Sequence, residues 1–258
     1  MAGGLKEVRE RIVSVQNTKQ ITSAMKMVAA AKLRRAQEAI TRMRPYAEKL
    51  QAVLSNVSDS LDAGEGVFSE KREVKHVLYV AITSNRGLCG GFNNNIIKAV
   101  RKGMQQTDAT CHVLPLGKKA NDAFEKDPNL APVGFEGDAW QIFDELNFDR
   151  AQTIAEAIMA QFEGGQYDEV KIVYNRFVNA AVQDATVENY LPLEPSEEET
   201  GPSTDTDYIF EPSQEEIIER IIPNSLKVQL YKGLLDSHAS EHGARMTAMH
   251  QATENAGE

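Results

Sequence analysis

Cysteine and tryptophan are scarce in this chain, and no apolar run is long. Two cysteines in 258 residues, Cys89 and Cys111, cannot build a disulfide framework. With no secretory apolar segment at the start, they favour a reducing compartment. No stretch approaches the roughly 20 apolar residues that span a bilayer, so any membrane association is expected to run through another protein. Trp140 is the only tryptophan, in a stretch (134–148) too irregular to assign. Between Leu5 and Leu61 glycine is absent and Pro45 is the only proline, which leaves a single potential helix breaker in 57 consecutive positions.

Positive charge is also in short supply, with a net charge of −10, which argues against general nucleic-acid binding. It is unevenly spread. Residues 5–49 hold eleven Lys and Arg against four Glu, about +7, so the other 17 bases and 34 acids leave about −17 elsewhere. A cationic segment is joined to an anionic remainder. At this length a core needs no metal or disulfide to hold it.

From Leu5, alternating steps of three and four residues visit Val8, Ile12, Val15, Lys19, Thr22, Lys26, Ala29, Leu33, Ala36, Ile40, Met43, Ala47, Leu50, Leu54, Val57 and Leu61. This heptad seam predicts one helix on the order of 80 Å long, with Pro45 as the place for a kink. After the loop 62–66, residues 76–84 (HVLYVAITS) read as a buried strand, followed by the glycine-rich turn 85–91 and a helix from Asn93. Further strands are expected at 109–117, 169–178 and 182–190, with helices at 118–126 and 148–164: a small α/β sheet ending in an antiparallel hairpin. Residues 194–216 carry nine acids and no base and read as a solvated loop, with Ser213 and Glu216 at capping-box spacing. A second seam follows: Ile217, Ile221, Asn224, Val228, Tyr231, Leu235, His238, His242, Arg245, Met249, Ala252 and Ala256. Pro223 is expected to kink or break that helix.

Each seam has a polar zone, Lys19, Thr22 and Lys26 in the first and His238, His242 and Arg245 in the second. Facing these zones in an antiparallel pair sets Ile12 against Ala252, Val15 against Met249, Ala29 against Leu235, Leu33 against Tyr231, Ala36 against Val228 and Met43 against Ile221. Lys19 then opposes Arg245 and Lys26 opposes His238, like charges that call for anions nearby. Glu241 is one source, an acidic partner surface another; lysines that simply reach water are the plain alternative.

Other patterns suggest chemistry. His238-Ala-Ser-Glu241-His242 matches the H-x-x-E-H arrangement of some zinc peptidases, but a seam covered by a helix leaves no open cleft and no third ligand. The turn Gly87-Leu-Cys-Gly90-Gly91 stands where phosphate loops stand, yet lacks the Gly-Lys-Ser/Thr of a P-loop and the G-x-G-x-x-G spacing, and a structural turn is the better reading. Arg86 beside Cys89 would lower a thiol pKa, although no histidine is close in sequence to act as base, so a buried small residue is expected there. His76 and His112 read as strand histidines. A basic helix that reads DNA or binds calmodulin-like grooves does not fit charges spread along so long a seam.

Three stretches, 15–32 (VQNTKQITSAMKMVAAAK), 84–93 (SNRGLCGGFN) and 240–256 (SEHGARMTAMHQATENA), together resemble the gamma subunit of F-type rotary ATP synthase, over nearly the whole chain and in order. The resemblance implies a long antiparallel coiled coil of the N- and C-terminal helices with an inserted small α/β, Rossmann-like globule. Its parts would be the N-terminal helix (1–61), globule (74–192), acidic loop (193–212) and C-terminal helix (213–258). It implies a central-stalk rotor with no catalytic site, cofactor or metal of its own. Its partners would be three alpha and three beta subunits of the head, the epsilon subunit and a membrane c-ring, at the cytoplasmic face of the inner (plasma) membrane. Proton-driven rotation would cycle the beta subunits. By matching position, Met25, Lys26, Glu241 and Arg245 would meet a beta subunit, and Tyr208, Phe210 and Glu211 would meet epsilon and the ring. The family continues past the position matching Glu258, and the paired-cysteine regulatory insertion of its photosynthetic branch has no counterpart here. A coiled-coil scaffold and a metallopeptidase are the alternatives.

Overall fold

The computed structural model describes residues 2–58, 67–126, 138–193 and 214–258. The first helix, α1 (Ala2–Ser58), runs for 57 residues with Pro45 inside it, about 85 Å at 1.5 Å per residue. β1 (His76–Ile82), α2 (Phe92–Gln105), β2 (Thr110–Leu116), α3 (Lys118–Phe124), a 3-10 turn (Ala139–Asp144), α4 (Phe148–Glu163), β3 (Glu169–Phe177) and β4 (Gln183–Leu191) follow, and α5 (Gln214–Asn255) closes the chain. α5 continues through Pro223. The expected loop at 62–66, Ser213 of the capping box and the acidic stretch up to 213 lie outside the described residues.

The sheet has the order β2-β1-β3-β4, with β1 parallel to β2 and β3, and β4 antiparallel to β3. Side chains alternate across a strand, and β1 shows what that achieves. Val77, Tyr79 and Ala81 join Ile96 and Val100 of α2 and Phe124 of α3 on one face. Leu78, Val80 and Ile82 join Ile158 and Phe162 of α4 and Leu226, Leu230 and Leu234 of α5 on the other. Each fully buried Leu, Ile or Phe contributes roughly 1.5–3 kcal/mol, so the near-continuous apolar run of β1 is what two covered faces require. The segment 134–148, illegible in sequence, contains the 3-10 turn, whose Ile142 is buried against the second face. Asn147 caps α4 by accepting from the Arg150 N–H at 2.9 Å.

The strand after which the chain must turn most sharply is β2. Gly117 has φ +117, and a Cβ there would lie inside the contact radius of the Thr83 carbonyl. The close approach lets the Thr83 N–H donate to the Leu116 carbonyl at 2.8 Å and the Ala120 N–H donate to Thr83 Oγ1 at 2.8 Å.

The terminal helices pair antiparallel, but the register differs from the expected one. Thr253 Oγ1 donates to Thr22 Oγ1 at 2.8 Å and Lys26 Nζ lies 3.2 Å from His250 Nδ1. Leu33 and Ala36 close on Ala239, with Ile40 and Met246 beside them. Thr22 was expected opposite His242 and instead meets Thr253, about three helical turns further along α5. Three turns return nearly the same face of a helix, so the slide preserves the apolar stripe and periodicity alone does not exclude it. Leu5, Val8, Ile12 and Val15 are exposed.

Asp236 of α5 lies where rod and sheet meet. Around it are Lys232 of the same helix, Arg44 of α1, Arg176 of β3 and Glu188 of β4; burial first, then Glu188, pushes its carboxyl up to about 6, against the pull of the three cations. A carboxyl raised in the folded state binds protons more tightly there than in the unfolded chain. Stability therefore falls as pH rises from about 4 to about 6, and the cost persists above that window. Asp236→Asn should stabilise the protein by about 1–2 kcal/mol at pH 7 and hardly at all at pH 4; melting temperatures across that range check this, and an equal effect at both pH values contradicts it. Gly117→Ala should destabilise by about 3 kcal/mol or more, read as loss of a cooperative melt or of soluble protein.

Candidate functional site

The segment 21–31 of α1 (ITSAMKMVAAA) is apolar on more than its seam. Thr22 and Ala29 are buried against α5, whereas Ile21, Met27 and Val28 on the other side are 58–65% exposed. A helix apolar all round is normally covered all round, and here one side is bare. Met25 and Lys26 are half-buried at the edge of the seam. Lysine only donates, so His250 Nδ1 accepts from Lys26 and its Nε2–H faces Glu254 at 3.5 Å. Among the described residues, Lys19, Lys26, Lys32 and Arg35 have no carboxylate within ion-pair distance. A bare apolar ridge thus runs among cations that no carboxylate neutralises. A heptad seam accounts for one stripe only; the sign of a second is the density of apolar residues in 21–31.

Glu241 and Arg245, expected to act with Met25 and Lys26, do not share that outward surface. Both are buried, and they pair with each other at 2.7 Å. Arg245 Nη1 donates to Glu241 Oε1 and, at 3.3 Å, to His242 Nδ1. Nη2 lies 3.3 Å from the carbonyls of both Arg86 and Gly87, and Nε donates to Gly87 at 3.4 Å. Five N–H contacts reach four acceptors, the Gly87 carbonyl taking two, which exhausts the guanidinium. Burial raises the Glu241 carboxyl, while Arg245 and then Lys32 draw it back. The anion that the sequence called for at Arg245 is therefore internal.

The same network fixes the two histidines. His242 Nδ1 accepts from Arg245, so its proton is on Nε2, which donates to His238 Nε2 at 3.1 Å. Burial and the nearby cations Lys32 and Arg245 push both pKa values down, to about 4 for His238 and about 3 for His242. His238 stacks on Phe143 of the 3-10 turn, centroids 5.9 Å apart. The zinc-like pattern is thus read by the fold as a donor chain, with the His242 Nε2 lone pair absent and Glu241 committed to Arg245. Among the described residues no group of three or more His, Cys, Asp or Glu side chains converges.

In the turn after β1, the Ser84 N–H donates to Asn93 Oδ1 at 2.9 Å and Asn93 Nδ2 donates to Cys89 Sγ at 3.2 Å. Cys89 is buried with Phe92 and Ala244 of α5, and burial pushes its thiol up, so proximity to Arg86 does not activate it. His112 packs between His76 and Tyr167 at the other end of the sheet. Tyr208, Phe210 and Glu211 lie outside the described residues.

No helix among the described residues is long and apolar enough to cross a membrane. Residues 4–258 match the family model described as ATP synthase. The ATP synthase gamma chain of Flavobacterium psychrophilum is 53% identical over 98% of this chain and 87% of its own length. That of Cytophaga hutchinsonii is 47% identical over 98% and 88%. A chain of the Tetrahymena thermophila mitochondrial ATP synthase central stalk and c-ring structure superposes with a TM-score of 0.63 at 25% identity, covering 92% of this chain and all of that one. A chain of the Euglena gracilis mitochondrial ATP synthase rotor has the same fold, with a TM-score of 0.64 at 22% identity over 100% and 93%. With a rod of paired terminal helices, a four-stranded globule between them and relatives of this closeness, the chain belongs to the ATP synthase gamma-chain family.

Proposed function

We propose that this chain is the central-stalk rotor of an ATP synthase, coupling proton-driven rotation of a membrane c-ring to conformational cycling of the catalytic beta subunits. The observation that carries the reading is the bare apolar ridge of α1, Ile21, Met27 and Val28, set among cations with no carboxylate within ion-pair distance among the described residues. Such a surface suits a sleeve that is apolar at its centre and acidic at its rim, the complement a head of three alpha and three beta subunits would supply. Met25 and Lys26 are then the contact with an acidic segment of a beta subunit, and Glu241 and Arg245 contribute from behind, by fixing α5. Tyr208, Phe210 and Glu211 are proposed to meet the epsilon subunit and the ring. Attachment is peripheral, at the cytoplasmic face of the inner (plasma) membrane.

Mechanistically, a rod with different side chains around its girth offers each beta subunit a different interaction at each angle. Only a difference in binding free energy between open and closed states shifts their populations. The chain itself makes and breaks no covalent bond in this scheme.

Ile21→Asp combined with Val28→Asp should leave the globule folded, because neither side chain touches it, and should reduce recovery of alpha and beta subunits with the tagged chain by about tenfold or more, a loss of at least 1.4 kcal/mol of association. Undiminished recovery overturns the ridge as the contact. Met25→Lys adds a cation beside Lys26 and favours one contact state over the others, so it should lower ATP-driven proton pumping per ATP hydrolysed more than it lowers assembly. Unchanged pumping in the assembled variant argues against Met25 as a contact.

A further inference from the structure

Strands β1 and β3 are neighbours in the sheet, yet the chain leaves them in opposite directions, β1 toward β2 and β3 toward β4. In doubly wound sheets the crevice above the carboxyl ends of two such strands is the place where ligands bind. Here it is filled from within the chain. Ala244 of α5 packs on Cys89 and Phe92 at the start of α2, Ser240 Oγ donates to the Asn175 carbonyl at the end of β3 at 2.9 Å, and Arg245 takes the Arg86 and Gly87 carbonyls beyond β1.

We infer that Arg245 is a positioning residue that keys the rod to the globule, its guanidinium occupying the crevice as an internal ligand so that α5 and the 84–91 turn rotate as one body. This rests on the rotor reading above. Lower on α5, Leu226, Leu230 and Leu234 attach the helix to the sheet through apolar contacts, which are non-directional, joined by single polar contacts: Tyr190 Oη donating to the Leu226 carbonyl at 2.9 Å, Lys227 to Glu156 at 2.7 Å and Gln229 to Glu188 at 3.2 Å. Above Ala239 the attachments are directional: the Ser240 bond, the Arg245 fork, and Thr247 Oγ1 donating to the Ala180 carbonyl at 3.0 Å. Of these only Arg245 makes several bonds from one rigid planar group, and such a fork resists both translation and twist.

The object it grips is braced. Asn93 holds Ser84 and Cys89, and Asn85 accepts from the Lys118 N–H at 3.1 Å while donating to Asp144 at 2.8 Å. Leu88 at the tip holds φ +63, a conformation a leucine keeps only when its surroundings over-determine it. Gly243 completes the fit from the other side: a Cβ there would press on the Ala180 carbonyl at 3.1 Å.

Two variants of the chain in its assembled complex test the key. Arg245→Lys keeps a cation for Glu241 but offers three donors from a point, too few and wrongly spaced for four acceptors. Asn93→Ala loosens the gripped turn by removing its bonds to Ser84 and Cys89, leaving Arg245 itself unaltered. Both should speed amide exchange across 84–91 by about tenfold or more and lower the protons pumped per ATP hydrolysed. Unchanged exchange in Arg245→Lys overturns the key. So does a coupling loss in Arg245→Lys with normal coupling in Asn93→Ala, since Arg245 would then act on a neighbouring subunit. Failure of the unaltered chain to co-purify with alpha and beta subunits would instead strike the rotor reading and leave the exchange result standing.

Discussion

α5 has to satisfy two surfaces at once, and the rest of the structure follows from that constraint. One side carries Leu226, Leu230 and Leu234 into the second sheet face; another carries Ala239 to Leu33 and Ala36 of α1. Over most of 226–245 the helix is buried, so its position is set by the globule before α1 is considered. α1 then has only the remaining side to pack on. Hydrophobic pairing between two free helices tolerates a slide of three turns, whereas pairing with a helix already pinned to a sheet does not.

This is why the sheet was legible in the sequence and the register was not. Runs such as 76–82, with both faces covered, announce a central parallel strand, and the hairpin at 177–183 follows from two β-rich runs separated by a short polar break. The rod also announced itself, through the absence of glycine and the seam from Leu5. What periodicity could not supply was the phase of one helix along the other, because that depends on Ser240, Glu241 and Arg245 facing strand ends remote in sequence. Matching polar zones to one another assumed that both belonged to the same interface. The zone on α1 meets Thr253 and His250, further along α5, and the zone on α5 faces the globule. The H-x-x-E-H pattern misled in the same manner, since the proton positions of His238 and His242 are dictated by Arg245.

The two polar zones thus divide the work of a rotor. On α1, an apolar ridge among cations that no carboxylate neutralises is suited to contact a surface that changes as the rod turns. On α5, a saturated guanidinium and its carboxylate are withdrawn from solvent, where a buried ion pair contributes little net stability but penalises every arrangement other than its own. Adaptable contacts outside and an inflexible joint inside are the properties that transmission of torque demands. The interior of the globule serves the joint: the 84–91 turn is braced by Asn85 and Asn93 so that what the rod holds does not yield.

The register is the claim from which the exposed ridge, the inward key and the pinned helix all derive. A disulfide between Thr22→Cys and Thr253→Cys, placed where the two hydroxyls are 2.8 Å apart, tests it in the assembled complex. The account predicts that this bond forms readily under mild oxidation and leaves ATP-driven proton pumping intact, because both ends belong to one rigid body. Preferential bonding of Thr22→Cys to His242→Cys, or loss of pumping once the 22–253 bond closes, would contradict it.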